Sequence, residues 1–177
     1  MSPLADLRYP IGRFAAPDPI ASQDLQTAID AIAALPSELR AAVRDLNDFQ
    51  IDTPYRPDGW TVRQLVHHIA DSHMNAFMRM RKGLTEREPE IMAYNEKAWA
   101  ELVDSRHAEI DLSLTLLDSL HRRWSMMLRS MTDAEWQRTF LHPERGPVRL
   151  DNNALLYAWH GRHHVAHITG LRQRERW

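Results

Sequence analysis

The sequence predicts an all-α protein, a four-helix bundle with short additional helices and an extended N-terminal arm. Three observations carry that prediction. Long stretches repeat apolar residues every three or four positions, which places them on one face of a helix. Two helical starts carry capping boxes, Thr61-Val62-Arg63-Gln64 and Thr132-Asp133-Ala134-Glu135, in which a hydroxyl and a side-chain amide or carboxylate satisfy orphan backbone donors reciprocally. No convincing strand and no internal repeat interrupts the pattern. At 177 residues the chain suits one domain, 1–177, with a real core.

The elements follow in order. Pro3, Pro10, Pro17 and Pro19 make residues 1–20 an extended arm, able to wrap the body or reach a partner subunit. Ser22 caps a helix with Leu25, Ile29, Ile32 and Leu35 on one face; Pro36 is expected to interrupt it and Ser37 to restart it through Leu39, Val43 and Leu46. Residues 52–59, with Pro54, Pro57 and Gly59, read as a loop. The first capping box opens a helix over about 62–82, and a short helical piece follows near 96–102. A third long helix covers roughly 112–130, with Leu116, Leu120, Trp124, Met127 and Met131 on one face. The second capping box opens a short helix. Residues 141–148 read as a loop, and Asp151 caps a last helix over about 152–173.

Composition excludes several classes of function. The formal net charge is −2, and arginines alternate with acidic residues, so nothing asks for nucleic acid or an anionic membrane. No cysteine is present, which removes disulfides, thiolate metal sites and a cysteine nucleophile together. No segment approaches the roughly 20 apolar residues a membrane helix requires. With no signal-peptide pattern at the start, a cytoplasmic protein is expected. There is no glycine-rich phosphate loop and no G-x-S-x-G elbow.

The ten histidines carry the chemistry. Six lie in two clusters, Val66-His67-His68-Ile69 and His160-Gly161-Arg162-His163-His164-Val165-Ala166-His167. At about 100° per residue, Asn153, Leu156, Tyr157, His160, His163, His164, His167 and Leu171 fall within about 120° of arc, so the histidines face inward. Imidazoles one turn apart can grip one ion from a single face, and two such pairs exist, His160/His164 and His163/His167. On the other helix His68 lies at the edge of the inward stripe, while His67 points nearly the opposite way. Two imidazoles from one helix and one from another make a three-histidine site with a position left for water or substrate. A buried histidine network without metal is the competing reading.

The segments Tyr9-Pro-Ile-Gly-Arg13, Thr53-Pro-Tyr-Arg-Pro57, Gly59-Trp-Thr-Val-Arg-Gln64, His67-His-Ile-Ala-Asp-Ser-His-Met-Asn75, Glu96-Lys-Ala-Trp99 and Tyr157-Ala-Trp-His-Gly-Arg-His-His-Val-Ala-His-Ile168 span nearly the whole chain. Through them the sequence resembles the DinB-like superfamily, and its YfiT branch in particular. The resemblance implies a four-helix bundle, a metal held by His68, His160 and His164, and a homodimer. It also implies a metal-dependent hydrolase that activates water. The alternatives are an S-transferase acting with a low-molecular-weight thiol of the bacillithiol, mycothiol or glutathione type, and a non-enzymatic metal-binding protein. A basic pocket beside the metal would favour the transferase; a fourth protein ligand would favour the binder.

Zinc is the expected ion, with nickel possible. Asp71, one turn after His68, is a candidate to orient that ring. Tyr157, His163 and His167 are candidates to move protons or bind substrate. Arg56, Arg63 and Arg162 lie near the motifs and could meet an acidic small-molecule substrate.

Overall fold

The computed structural model describes residues 7–177, so Met1–Asp6 of the expected arm lie outside the described residues. The described part of the arm has neither helix nor strand, and it lays Phe14, Ala16 and Ile20 onto the bundle core. These three side chains are thus spent on their own chain, while Ile11 stays exposed.

The first helix, α1, runs Ser22–Val43 without a break. Ala21 rather than Ser22 is the N-cap, and Asp24 supplies the first acceptor by taking the Ala21 N–H at 2.8 Å. Pro36 sits inside this helix and does not interrupt it. A proline lacks the N–H that would bond the carbonyl four residues earlier. Here that carbonyl, on Ile32, accepts instead from Nδ1 of His121 at 2.5 Å. A neighbouring helix thus supplies the missing donor.

Helix α2 (Asp48–Ile51) is a single turn before the predicted loop. The Thr61 capping box forms as expected, with Gln64 N–H to Thr61 Oγ1 at 3.1 Å and Thr61 N–H to Gln64 Oε1 at 3.0 Å. It opens α3 (Val62–Thr85). Helix α4 (Glu96–Ala100) falls on the expected short piece, and α5 (Val103–His107) was not anticipated.

Helix α6 (Ile110–Arg129) buries Leu114, Leu117, Leu120, His121, Trp124 and Leu128, whereas the expected Leu116 is exposed. A helix gripped by two neighbours buries two adjoining arcs, and one of these contains a histidine that an apolar count passes over. After α7 (Asp133–Trp136), the expected loop is an antiparallel hairpin, β1 (Thr139–His142) with β2 (Gly146–Arg149), in which Phe140 faces Val148. Four-residue strands with Pro147 in one of them are too short to show a period-two signal.

Helix α8 (Leu150–Glu175) starts before Asp151, so this residue is not its cap. Asp151 lies in the first turn, fully buried, where it takes Arg149 and the Asn152 N–H.

The four long helices form a closed ring of neighbours: α1 against α8 and α6, and α3 against α6 and α8. The first two long helices in sequence, α1 and α3, are therefore diagonal, and α3 lies beside α8. Two apolar clusters fill the bundle. One is built around Ile32, Met80, Trp124 and Leu150, the other around Leu35, Leu65, Leu117 and Ile168. His73 on α3 and His160 and His164 on α8 fall, along their helices, between the two.

Gly161 lets α8 approach α1. A Cβ there would meet Cδ2 of the buried Leu35 at 2.6 Å and Cδ1 at 2.9 Å. Gly161→Val should therefore lower stability by about 1–3 kcal/mol, the usual range for overpacking a filled core. Thermal denaturation of the variant checks this; an unchanged or raised Tm would contradict the close approach.

Candidate metal centre

The site is built where α3 crosses beside α8. His68 comes from α3, and His160 and His164 from one face of α8, four residues apart. One ring nitrogen from each lies within 4.8 Å of the other two. The Nε2 atoms of His160 and His164 face each other at 3.1 Å. Tetrahedral ligands at 2.0–2.1 Å from one ion sit about 3.3 Å apart, so this pair already has ligand spacing. The His68 ring stands 5.4 Å from His160 and 5.1 Å from His164, centroid to centroid, and Trp60 packs on its other side at 4.7 Å. The donor set, three imidazoles with no carboxylate among them, suits zinc, nickel or copper better than a hard cation.

Each of the two α8 histidines hands its other nitrogen to a further histidine. His160 Nδ1 lies 3.1 Å from His73 Nε2, and His164 Nδ1 lies 3.3 Å from His167 Nδ1. With Nε2 turned to an ion, both Nδ1–H groups donate, and His73 and His167 accept. Such a partner fixes the tautomer and the ring plane of a ligand. His73 in turn stacks on His121 at 5.0 Å, and His121 is the residue that bonds the Ile32 carbonyl. The ring of His167 packs tilted against Tyr55 at 4.2 Å, and the arm's backbone at Leu7 and Arg8 faces it.

A second triplet, His163, His164 and His167, also has ring nitrogens within 4.8 Å. It shares His164 with the first. His163 stacks on Trp159 at 4.5 Å.

Several expectations on individual residues are redirected. Asp71 makes no hydrogen bond to His68 among the described residues; burial, then the nearby Asp104, lift its carboxyl to about 6. The ring partners of His160 and His164 are histidines, His73 and His167. His67 does point away from the site, but it is buried against the α5–α6 link, with Nδ1 2.7 Å from Ser113 Oγ and Nε2 3.2 Å from the Ala108 carbonyl.

Tyr157 reaches the site, with its ring 5.5 Å from His160 and its hydroxyl accepting from Ser72 Oγ at 3.5 Å. Arg63 is committed to Asp52 at 2.7 Å and the Ala108 carbonyl at 2.9 Å, Arg162 is exposed, and Arg56 caps its own loop through the Pro57 carbonyl. From the sequence His73 reads as a structural or surface residue rather than a ligand, and His121 carries no signal because it belongs to no histidine cluster; the structure buries both.

The site opens into a cleft of about 400 Å³, lined by Trp60, His68, His160 and His164 together with Ser72, Tyr94, Asn153 and Tyr157. Residues from the hairpin, His142 and Arg145, line it as well. Another cavity, of about 410 Å³, lies between the arm and the hairpin and holds no histidine.

Burial sets the protonation of the layer. It pushes His68, His121, His163 and His167 down to about 4, with neighbouring imidazoles adding to the effect at His167. His73, His160 and His164 are held well below the ordinary value by burial first and by one another second. These imidazoles are therefore neutral at pH 7, the form that offers a lone pair to a metal.

Comparison with known proteins decides the family. The DinB superfamily profile matches residues 31–168, most of the chain. The chain belongs to the DinB superfamily. A Bacillus cereus (strain B4264) relative named "Putative metal-dependent hydrolase" is 52% identical to this DinB-superfamily protein over 172 residues, covering 97% of this chain and 99% of the relative. A Bacillus mycoides (strain KBAB4) relative of the same description is 51% identical, covering 98% of this chain and all of its own length.

Among solved structures, YfiT from Bacillus subtilis, "a probable metal-dependent hydrolase with an unusual four-helix bundle topology", is 46% identical. It superposes with a TM-score of 0.94 over 97% of this chain and 99% of its own. The four-helix bundle protein TT2238, at 20% identity and a TM-score of 0.53, shares the fold. The diagonal placement of α1 and α3 is the topological feature that a simple up-and-down bundle lacks.

Two predictions follow from this geometry. His73→Ala should weaken metal affinity roughly 10–100-fold, the usual loss for removing an orienting partner, while Asp71→Asn should leave it unchanged. Competition with a metal-binding dye measures both; equal effects would contradict the assignment. The second concerns acid. Folded pKa values near 4 lie below the unfolded imidazole value of 6.5, so between these limits the unfolded chain binds more protons. The stability contribution is complete above about 6.5 and is lost as pH falls toward 4. Urea midpoints of metal-free protein should fall steeply across that window; a flat profile would contradict burial of the neutral rings.

Proposed function

We propose that this chain is a metal-dependent hydrolase acting on a small molecule, with His68, His160 and His164 holding one divalent ion. The observation that carries this reading is the convergence of three neutral imidazoles from two helices at the inner end of an open cleft. The curated relatives' names point the same way. A divalent ion in such a site supplies Lewis acidity, which lowers the pKa of a water or thiol and polarises a carbonyl.

The chain's own residues supply the rest. Burial keeps the three ligands unprotonated, and the absence of a carboxylate among them leaves the ion's charge undiminished toward an anionic nucleophile. His73 and His167 hold the His160 and His164 rings in plane. Trp60 packs against His68 and removes water from that side. Tyr157 lies one turn before His160 on the cleft wall, where its hydroxyl can donate to the oxygen on which negative charge develops. Tyr94, whose hydroxyl burial pushes up to about 12, stays protonated beside Ser72 and serves as a donor as well.

A second reading, transfer of a low-molecular-weight thiol, uses the same apparatus with a thiol in place of water. One observation favours it: Arg79 and Arg145 line the cleft, and such thiols carry carboxylates. A purely metal-binding role is disfavoured by the open cleft, since a storage or structural site is closed by a fourth ligand. Zinc is the ion this reading expects in the cell, with nickel able to replace it. The homodimer is part of the same proposal, checked by light scattering against the 20.6 kDa chain mass.

The zinc-loaded protein should turn over members of an ester and amide panel without added thiol. Activity should vanish in His160→Ala together with the metal, and fall about 10–100-fold in Tyr157→Phe with the metal retained. Turnover only with thiol plus electrophile would select the second reading. Hydrolysis that persists after complete chelation would overturn both.

A further inference from the structure

The buried polar groups around the cleft are not balanced between donors and acceptors. Among the described residues, Arg79 Nε, Asn153 Nδ2 and Trp159 Nε1 are buried without a hydrogen-bond partner, and all three residues line the cleft that holds the metal histidines. Each is an N–H donor. Arg79 spends one terminal nitrogen on the Met92 carbonyl at 3.0 Å. Arg145, on the hairpin turn, has no ion-pair or hydrogen-bond partner for its guanidinium among the described residues.

His142 adds a fourth kind of donor. Its Nδ1 accepts the Glu144 N–H at 3.2 Å, so a neutral ring carries its proton on Nε2. Arg79, His142 and Arg145 all line the cleft that His160 lines. Buried donors are expected to be paired, and a set left unpaired around one cavity calls for a ligand rich in acceptors.

We propose that the wall of the cleft formed by Arg79, Arg145 and Asn153 is a carboxylate subsite, and that the substrate is a small molecule with a terminal carboxylate held there while its reacting group lies at the metal histidines. The proposal rests on the metal reading above and adds the substrate's chemical class. A carboxylate fits better than a phosphate. The donors are dispersed side chains rather than the backbone N–H groups of a helix N-terminus, and two carboxylates, Glu96 and Glu144, also line the cleft and oppose a dianion. Asn153 and His160 lie on one face of α8, seven residues apart, about 10 Å along the axis. That span sets the length of the substrate: a chain of about four to six atoms separates its reacting group from its carboxylate.

The test uses two probes that share a metal-binding head. Adipic acid monohydroxamate carries a terminal carboxylate; hexanohydroxamate has a methyl group in its place. Binding to the cobalt-loaded protein is read from the visible spectrum of the metal. The carboxylate probe should bind roughly ten- to hundred-fold more tightly, the worth of one well-placed charge-assisted hydrogen bond. In Arg145→Gln, an exposed position, and in Asn153→Ala that advantage should fall to a few-fold or less, while hexanohydroxamate affinity and metal content stay as in the parent.

Equal affinity of the two probes for the parent, with both shifting the spectrum, would overturn the subsite and leave the metal reading standing. An advantage fully retained in both variants would overturn the assignment to these residues. A phosphonate analogue that outcompetes the carboxylate would overturn the substrate class. If neither hydroxamate perturbs the spectrum, or no cobalt is bound, the metal reading fails and the subsite falls with it.

Discussion

Burying a layer of neutral imidazoles across the middle of a helical bundle constrains everything else in this protein. Seven rings, His68, His73, His121, His160, His163, His164 and His167, are packed between or beside two apolar clusters. A buried polar nitrogen without a partner costs about 1–3 kcal/mol. The bundle answers by pairing rings with rings: His73 with His160, His167 with His164, and His121 with a carbonyl that Pro36 has freed. The pairing is incomplete, since His73 Nδ1, His121 Nε2, His163 Nδ1 and His167 Nε2 keep no hydrogen-bond partner among the described residues. One nitrogen each from His68, His160 and His164 lies within 4.8 Å of the other two, and all three residues line the cleft.

The same burial accounts for the lack, among the described residues, of a carboxylate bonded to His68, His160 or His164. A charged partner in this layer would itself have to be desolvated. Asp71, the nearest acid on α3, sits with its carboxyl pushed up by burial and by Asp104 and keeps away from His68. Imidazole partners avoid that cost and keep the site's full positive charge when an ion binds.

Architecture sets the layer beside the cleft. Because α1 and α3 are diagonal, α3 can lie along α8, and His68 meets His160 and His164 without a loop between them. Rigid helices hold ligand geometry better than loops do. The variable parts of the site, the link before α4 and the β1–β2 hairpin, instead supply the cleft's outer wall, with Tyr94 from one and His142 and Arg145 from the other. Gly161, between the two α8 ligands, lets this helix seat closely on Leu35 of α1 and fixes its rotation.

The sequence by itself determined the four long helices, both capping boxes and the inward arc of α8, because these depend on spacing along a single element. It also singled out His68 over His67, since a turn of about 100° separates them. Tertiary structure alone decided the rest. Pro36 could stay inside α1 only because His121, 85 positions away, reaches its orphaned carbonyl. The hairpin's strands are too short to carry a pattern, and Leu117 replaced Leu116 because α6 is gripped on two sides. Asp71 lost the orienting role to His73 and His167 because local spacing cannot weigh the cost of burying a charge. Arg79 and Arg145 joined the cleft from segments with no motif at all. Periodicity is a property of one helix and is legible in its residues; the pairing of buried polar groups belongs to contacts between elements.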